Sequence, residues 1–124
     1  MRAYEFDAGA DLYSRDELLI EPGEGRKIST GIAVNIPPGY YGHIHTRSSM
    51  AKQGFVVLGG IVDSSYKGEL FVILRNLSNT THYILKQQRI AQLVLYPIVT
   101  PKIIEVSDIG TSERGDKGFG STNK

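Results

Sequence analysis

The chain has 124 residues, enough for one domain with a real core, and its 14 basic and 13 acidic residues leave a formal charge of +1. That balance excludes a whole-surface nucleic-acid footprint. The lack of cysteine excludes disulfides, a thiol nucleophile and cysteine-held metal.

No apolar run approaches the roughly 20 residues of a membrane span. Met1 to Asp7 lacks the apolar core of a secretion leader, so a soluble intracellular protein is expected. Asp7 to Ser14 reads as a turn entering a strand. Leu18 to Glu21 reads as a short strand, and Pro22 to Gly25 as a loop. Arg26 to Ile36 carries the clearest strand pattern: Ile28, Thr30, Ile32, Val34 and Ile36 recur at period two, with Gly31 marking a bulge or bend. Pro37-Pro38-Gly39 is a turn, and Tyr40 to Thr46 the next strand. Arg47 to Gly54 predicts a short helix with Ser48 or Ser49 as its N-cap and Gly54 at C′.

Phe55 to Leu58 returns to strand and enters a hairpin over Gly59 to Leu70. There Ile61 and Val62 are strand formers, and Asp63-Ser64-Ser65 is turn chemistry. Leu70 to Leu74 is apolar on both faces, as a fully buried strand would be. Asn76 to Thr80 is a turn. Thr81 to Leu85, Arg89 to Tyr96 and Lys102 to Val106 are further strands. From Thr111 to Lys124 there is no periodicity, and such a segment cannot bury enough surface to order itself. Many short strands punctuated by turns predict an all-β jelly-roll domain over residues 1–110, with one short helix and a flexible C-terminal arm at 111–124.

Four places could carry chemistry. Arg47-Ser48-Ser49 offers a guanidinium, hydroxyls and helix-start N–H groups to an anion; a plain cap with a surface arginine is the alternative. The arm combines Arg114, Lys117, Ser121, Thr122 and glycines suited to a polyphosphate, with Phe119 able to stack on a base; a disordered terminus is the alternative. Ser121 stands where a Walker motif needs lysine, so the arm is not a P-loop. His43 and His45 share a strand face, but a third zinc ligand at sensible spacing is missing, and exposed strand histidines fit better. Asp63, near Tyr66, could hold and deprotonate a water beside a phosphate, and Asp11 could orient a metal-bound water; a turn or capping aspartate is the alternative for each.

Taken in order, five segments resemble the five motifs of trimeric dUTPases, the dUTP nucleotidohydrolases. They are Ala8-Gly9-Ala10-Asp11-Leu12, Arg47-Ser48-Ser49-Met50-Ala51, Gly60 to Gly68, Arg89-Ile90-Ala91-Gln92-Leu93 and Arg114 to Thr122. The resemblance spans nearly the whole chain. It implies a distorted jelly-roll β-barrel assembled as a homotrimer, with active sites shared between subunits. It implies hydrolysis of dUTP to dUMP and pyrophosphate with Mg²⁺. Charge and hydropathy, separately, lead one to expect no stable nucleic-acid or membrane partner.

By the same resemblance, Asp63 is the general base and Tyr66 packs against the deoxyribose. The backbone of Gly60, Ile61 and Val62 reads the uracil edge. Arg47, Ser48 and Ser49 hold the phosphates, with Gln92 near the α-phosphate. Arg114 pairs with the γ-phosphate, Phe119 stacks over uracil, Gly120 lies beneath the phosphates, and Asp11 reaches Mg²⁺ through water. Ser49 stands where the family usually has glycine, and Ser65 where it often has an acid. A deaminase of the same fold is the nearest rival, and would need a glutamate near the base, for which Glu69 is the acid beside the hairpin. Two rivals come from outside enzymology: a nucleotide-binding regulatory module and a purely structural jelly roll.

Overall fold

The computed structural model describes residues 9–110. Within them run β1 (Ala10–Tyr13), β2 (Leu18–Ile20), β3 (Gly25–Ser29), β4 (Tyr40–Thr46), α1 (Ser48–Lys52), β5 (Phe55–Leu58), β6 (Ile61–Val62), β7 (Phe71–Asn76), β8 (His82–Ile84) and β9 (Arg89–Pro97). The strands form a four-stranded sheet in the order β1-β9-β4-β6, a three-stranded sheet β3-β7-β5 and a ribbon β2-β8. Every pairing is antiparallel. This is the expected all-β class, a distorted jelly roll whose strands stay in three sheets around one core.

Each element supplies at least one side chain to that core, from Leu12 of β1 through Ile44 of β4 and Leu74 of β7 to Ile90 of β9. Period-two alternation explains the choice, since β7 buries Val72, Leu74 and Asn76 and turns Ile73 and Arg75 outward. Met50 is the one buried residue of the helix and anchors it to the sheets.

Asn76 is, with Ser14, one of two fully buried polar residues among the described residues. Its Nδ2 donates to the carbonyls of Ile20 at 2.9 Å and Thr80 at 2.8 Å, and its Oδ1 accepts from the Ser78 amide at 2.9 Å and hydroxyl at 2.7 Å. One amide thus ties β2, β7 and the following turn. Asn76→Ala is expected to cost about 2–4 kcal/mol, because it strands buried backbone groups as well as losing the bonds. A urea midpoint close to that of the unaltered protein would contradict this.

Four sequence expectations change. The pattern over Arg26 to Ile36 is a strand only to Ser29. Gly31 takes φ 73°, turning the chain off the β7 edge, so Ile28 and Ile36 are buried while Ile32 is exposed. Gly31 does mark a bend, as anticipated. Leu70 to Leu74 is buried on one face only, because its sheet covers the core from one side; Phe71 points out, with Lys27 Nζ 4.2 Å from its ring centre.

The segment from Gly59 to Leu70 is not a simple hairpin. The hairpin partners are β5 and β7, with Leu58 opposite Ile73, whereas β6 inside the connection joins β4 in the other sheet, Val62 opposite Gly42. Lys102 to Val106 forms no strand: no described residue pairs with it, and Ile103 is 91% exposed. A strand needs a partner for its backbone groups, and apolar side chains cannot supply one.

Candidate active site

The connection between β5 and β7 forms a cleft of about 290 Å³. Its walls are Ile44 of β4, the run from Val57 to Asp63, Tyr66, and the segment that leads from Glu69 into β7. Gly60 makes the geometry possible. Its φ is 102°, its carbonyl accepts from the Ile44 amide at 2.8 Å, and a Cβ there would lie 2.8 Å from the Ile44 oxygen. Only glycine lets the chain close on β4 in this way.

β6 is an edge strand, paired with β4 on one side and with no described strand on the other. Its outer N–H and C=O groups therefore resemble an unfilled sheet edge, which can read a planar polar ligand as a strand would be read. Asp63 follows directly, exposed, at the start of the turn, and the Tyr66 amide donates to its carbonyl at 3.0 Å. The Tyr66 ring is 43% exposed, and its hydroxyl donates to the Glu69 carbonyl at 2.5 Å. Gly60, Ile61, Val62, Asp63 and Tyr66 are thus brought together in one cleft.

A second polar region gathers the first, second and fourth segments. Asp11 on β1 faces Gln92 on β9, which in turn faces His45 on β4. The Asp11 carboxylate lies 3.8 Å from Arg47 Nε and 3.4 Å from Arg89 Nη1. Arg47 Nη1 also donates to the Ser49 hydroxyl at 3.2 Å. Gly9 packs so closely that a Cβ would lie 2.7 Å from the Gln92 side-chain oxygen, so a side chain there would displace Gln92. Arg89 is a partner that sequence reasoning missed. Its signal was its place three residues before Gln92 in the same segment.

The helix start differs from expectation. Arg47, not Ser48 or Ser49, occupies the N-cap position, with extended backbone and no side-chain cap. Both serines lie within the first turn and are exposed. Gln53 closes the helix, and Gly54 follows with φ 96°, as its C′ role requires. None of Asp11, Arg47, Ser48, Ser49 and Gln92 lines the cleft that holds Asp63. Arg114, Phe119 and Gly120 lie outside the described residues.

His43 and His45 are half-buried rather than exposed, because they stack on each other with ring centres 4.4 Å apart. His45 Nε2 and the Tyr96 hydroxyl share a hydrogen bond of 2.8 Å. Among the described residues no three His, Asp or Glu side chains converge to hold a metal.

Glu69 has a committed carboxylate. It accepts from the Ser29 hydroxyl and from the Gly31 amide at 2.9 Å. The Ser29 bond first and the Gly31 bond second, outweighing desolvation and helped by Arg15 and Lys27, hold its pKa below the ordinary carboxylate range. The latch therefore stabilises the fold above that range and weakens as pH falls through the lowered value.

The dUTPase family model matches residues 1–123. The deoxyuridine 5′-triphosphate nucleotidohydrolase of Nautilia profundicola is 48% identical over 120 residues, covering 94% of this chain and 84% of that relative. The fowlpox virus protein of the same name is 44% identical over 121 residues, covering 94% and 83%. Among solved structures, a Staphylococcus bacteriophage 80alpha dUTPase mutant with dUpNHpp superposes with a TM-score of 0.79 at 32% identity, covering 98% of this chain and 89% of that one. A mutant dUTPase of phage phi11 of S. aureus, which coordinates a structural Mg(II) ion, has a TM-score of 0.79 at 28% identity, covering 87% and 88%. Fold and matches together define a jelly-roll nucleotide hydrolase. The chain belongs to the dUTPase family.

Proposed function

We propose that the protein hydrolyses dUTP to dUMP and pyrophosphate. The observation that carries this reading is the cleft in which the β6 edge, the Asp63 carboxylate and the Tyr66 ring converge. Backbone groups of the Gly60, Ile61 and Val62 strand pair with the uracil edge, where the amine of cytosine would set donor against donor. Such polar mismatch discriminates far better than a methyl group does. Tyr66 packs against the deoxyribose and leaves no room for a 2′-hydroxyl.

Asp63 takes a proton from water as the water oxygen bonds to the α-phosphorus. The bond from that phosphorus to the bridging oxygen breaks, and pyrophosphate leaves with the electron pair. Arg47, Ser48 and Ser49 bind phosphate oxygens, and Gln92 orients the α-phosphate and water. Arg114 pairs with the γ-phosphate, Phe119 covers the uracil and Gly120 lies beneath the phosphates as the arm 111–124 closes over the domain 1–110. Asp11 would hold Mg²⁺ through water, and the ion would supply charge neutralisation on the triphosphate. One carboxylate suits that mode, since the described residues offer no cage of their own.

The separation of the two polar regions supports a shared site. The cleft with Asp63 lacks the phosphate-binding side chains, so we place the two halves of each site on different subunits of a homotrimer. The exposed run from Ile98 to Ile109, with Val99 88% and Ile109 81% exposed, supports an assembly that covers it. Deamination is disfavoured because the Glu69 carboxylate is occupied by Ser29 and Gly31.

Pyrophosphate release from dUTP, UTP, dCTP and dTTP tests the reading. dUTP alone is expected to turn over efficiently. Equal rates on dUTP and UTP would remove the role given to Tyr66, and ammonia release from dCTP would establish the deaminase instead. No helix among the described residues is long and apolar enough to cross a membrane.

A further inference from the structure

The cleft wall that carries Tyr66 is held from outside its own loop. The Tyr66 hydroxyl closes a short ring onto the Glu69 carbonyl at 2.5 Å. Gly68 lies within that ring, where a Cβ would meet the Tyr66 oxygen at 2.9 Å. The position of the aromatic ring therefore follows the position of the Glu69 peptide.

That peptide is fixed by the irregular segment after β3. The Glu69 carboxylate accepts from the Ser29 hydroxyl and the Gly31 amide. The neighbouring Leu70 amide donates to the Ile32 carbonyl at 2.8 Å, and the Thr30 hydroxyl donates to the Leu70 carbonyl at 2.7 Å. Lys67 Nζ adds a bond to the Asn35 side chain at 2.9 Å. Gly31, at φ 73°, turns its amide onto the carboxylate. The departure of this segment from strand geometry thus has a purpose: it becomes a clamp on the loop that bears Tyr66. Ser29 lies outside all five segments of the family resemblance, and Glu69 lies one residue beyond the third.

We propose that Ser29 and Glu69 are positioning residues for sugar selection, a latch that holds Tyr66 where a 2′-hydroxyl would otherwise fit. The inference rests on the dUTPase reading of the cleft. Steric exclusion of one oxygen demands a wall that does not yield, and an aromatic ring on a loop yields unless its anchor is tied down. Ser29 and Glu69 supply that tie through a carboxylate committed to the Ser29 hydroxyl and the Gly31 amide.

The test is the ratio of kcat/KM for dUTP to kcat/KM for UTP in the full chain, measured for Ser29→Ala, Glu69→Gln and Ser29→Thr. The first two are expected to lower the ratio by about tenfold, the scale of one lost charge-assisted hydrogen bond, mainly through a lower KM for UTP. Ser29→Thr keeps the hydroxyl and is expected to keep most of the ratio. Tyr66→Phe, which removes the donor to Glu69, is expected to be non-additive with Ser29→Ala, because both act on one path.

A merely structural role would lower activity on both substrates together and leave their ratio alone, and that result would overturn the inference. So would additive effects of Ser29→Ala and Tyr66→Phe. Unchanged discrimination in Ser29→Ala, a change of one oxygen that circular dichroism can show to be folded, would do the same. If the unaltered protein itself does not distinguish dUTP from UTP, the reading of the cleft fails rather than the latch.

Discussion

Asp63→Asn is expected to lower turnover of dUTP by at least about a hundredfold while leaving dUTP binding within a few-fold of its original strength. The substitution keeps the size and hydrogen-bonding reach of the side chain and removes its capacity to take a proton. Asp63 lies exposed at the end of β6, and its backbone carbonyl, not its carboxylate, anchors the turn to Tyr66. The loop should therefore survive the change. Single-turnover rates with dUTP and Mg²⁺, beside calorimetric binding, separate chemistry from affinity. Turnover near that of the unaltered protein would remove Asp63 as the base. A parallel loss of binding would make its role electrostatic or structural.

Mixing two inactive variants is expected to restore activity. Arg47→Ala removes the guanidinium of the phosphate-binding region, and Asp63→Asn disables the cleft. If each site joins the cleft of one subunit to the Arg47 region of another, random co-assembly leaves about a quarter of the sites with both halves intact. The mixture should then show about a quarter of the original turnover, far above either variant alone. Co-refolding of equal amounts, with each variant refolded separately as control, measures it. A mixture no more active than the mean of its parts would place both halves of the site in one chain. The separation of Arg47 from the lining around Asp63 motivates the test.

The two regions were unequally legible in the sequence. Gly60, Asp63 and Tyr66 fall within seven consecutive residues, so their convergence follows from a single turn. Asp11, Arg47, Arg89 and Gln92 meet only because β1, β9 and β4 are neighbours in one sheet. Family resemblance named Asp11, Arg47 and Gln92, but nothing local to Arg89 showed that it would share Asp11 with Arg47. Glu69 was visible only as an acid beside a hairpin. Its bonds to Ser29 and Gly31 span about forty residues of sequence, so no local pattern could reveal them.

The strand pattern misled where pairing, rather than hydrophobicity, decided the outcome. Thr30 to Ile36 alternates as well as any strand in the chain, yet the left-handed Gly31 and the pull of Glu69 and Leu70 take it off the sheet. Lys102 to Val106 is apolar enough for a strand and finds no partner among the described residues.

By itself the sequence determined the all-β class, the short helix after β4, the core face of most strands and the family. These depend on side-chain periodicity and on residue identities at short spacing, which are local properties. Only the tertiary structure decided that Gly59 to Leu70 bridges two sheets, that Arg47 and Arg89 share Asp11, and that a broken strand clamps the loop of Tyr66. Those depend on which backbone edges meet and which polar groups find partners far along the chain, and a pattern of neighbouring residues cannot specify either.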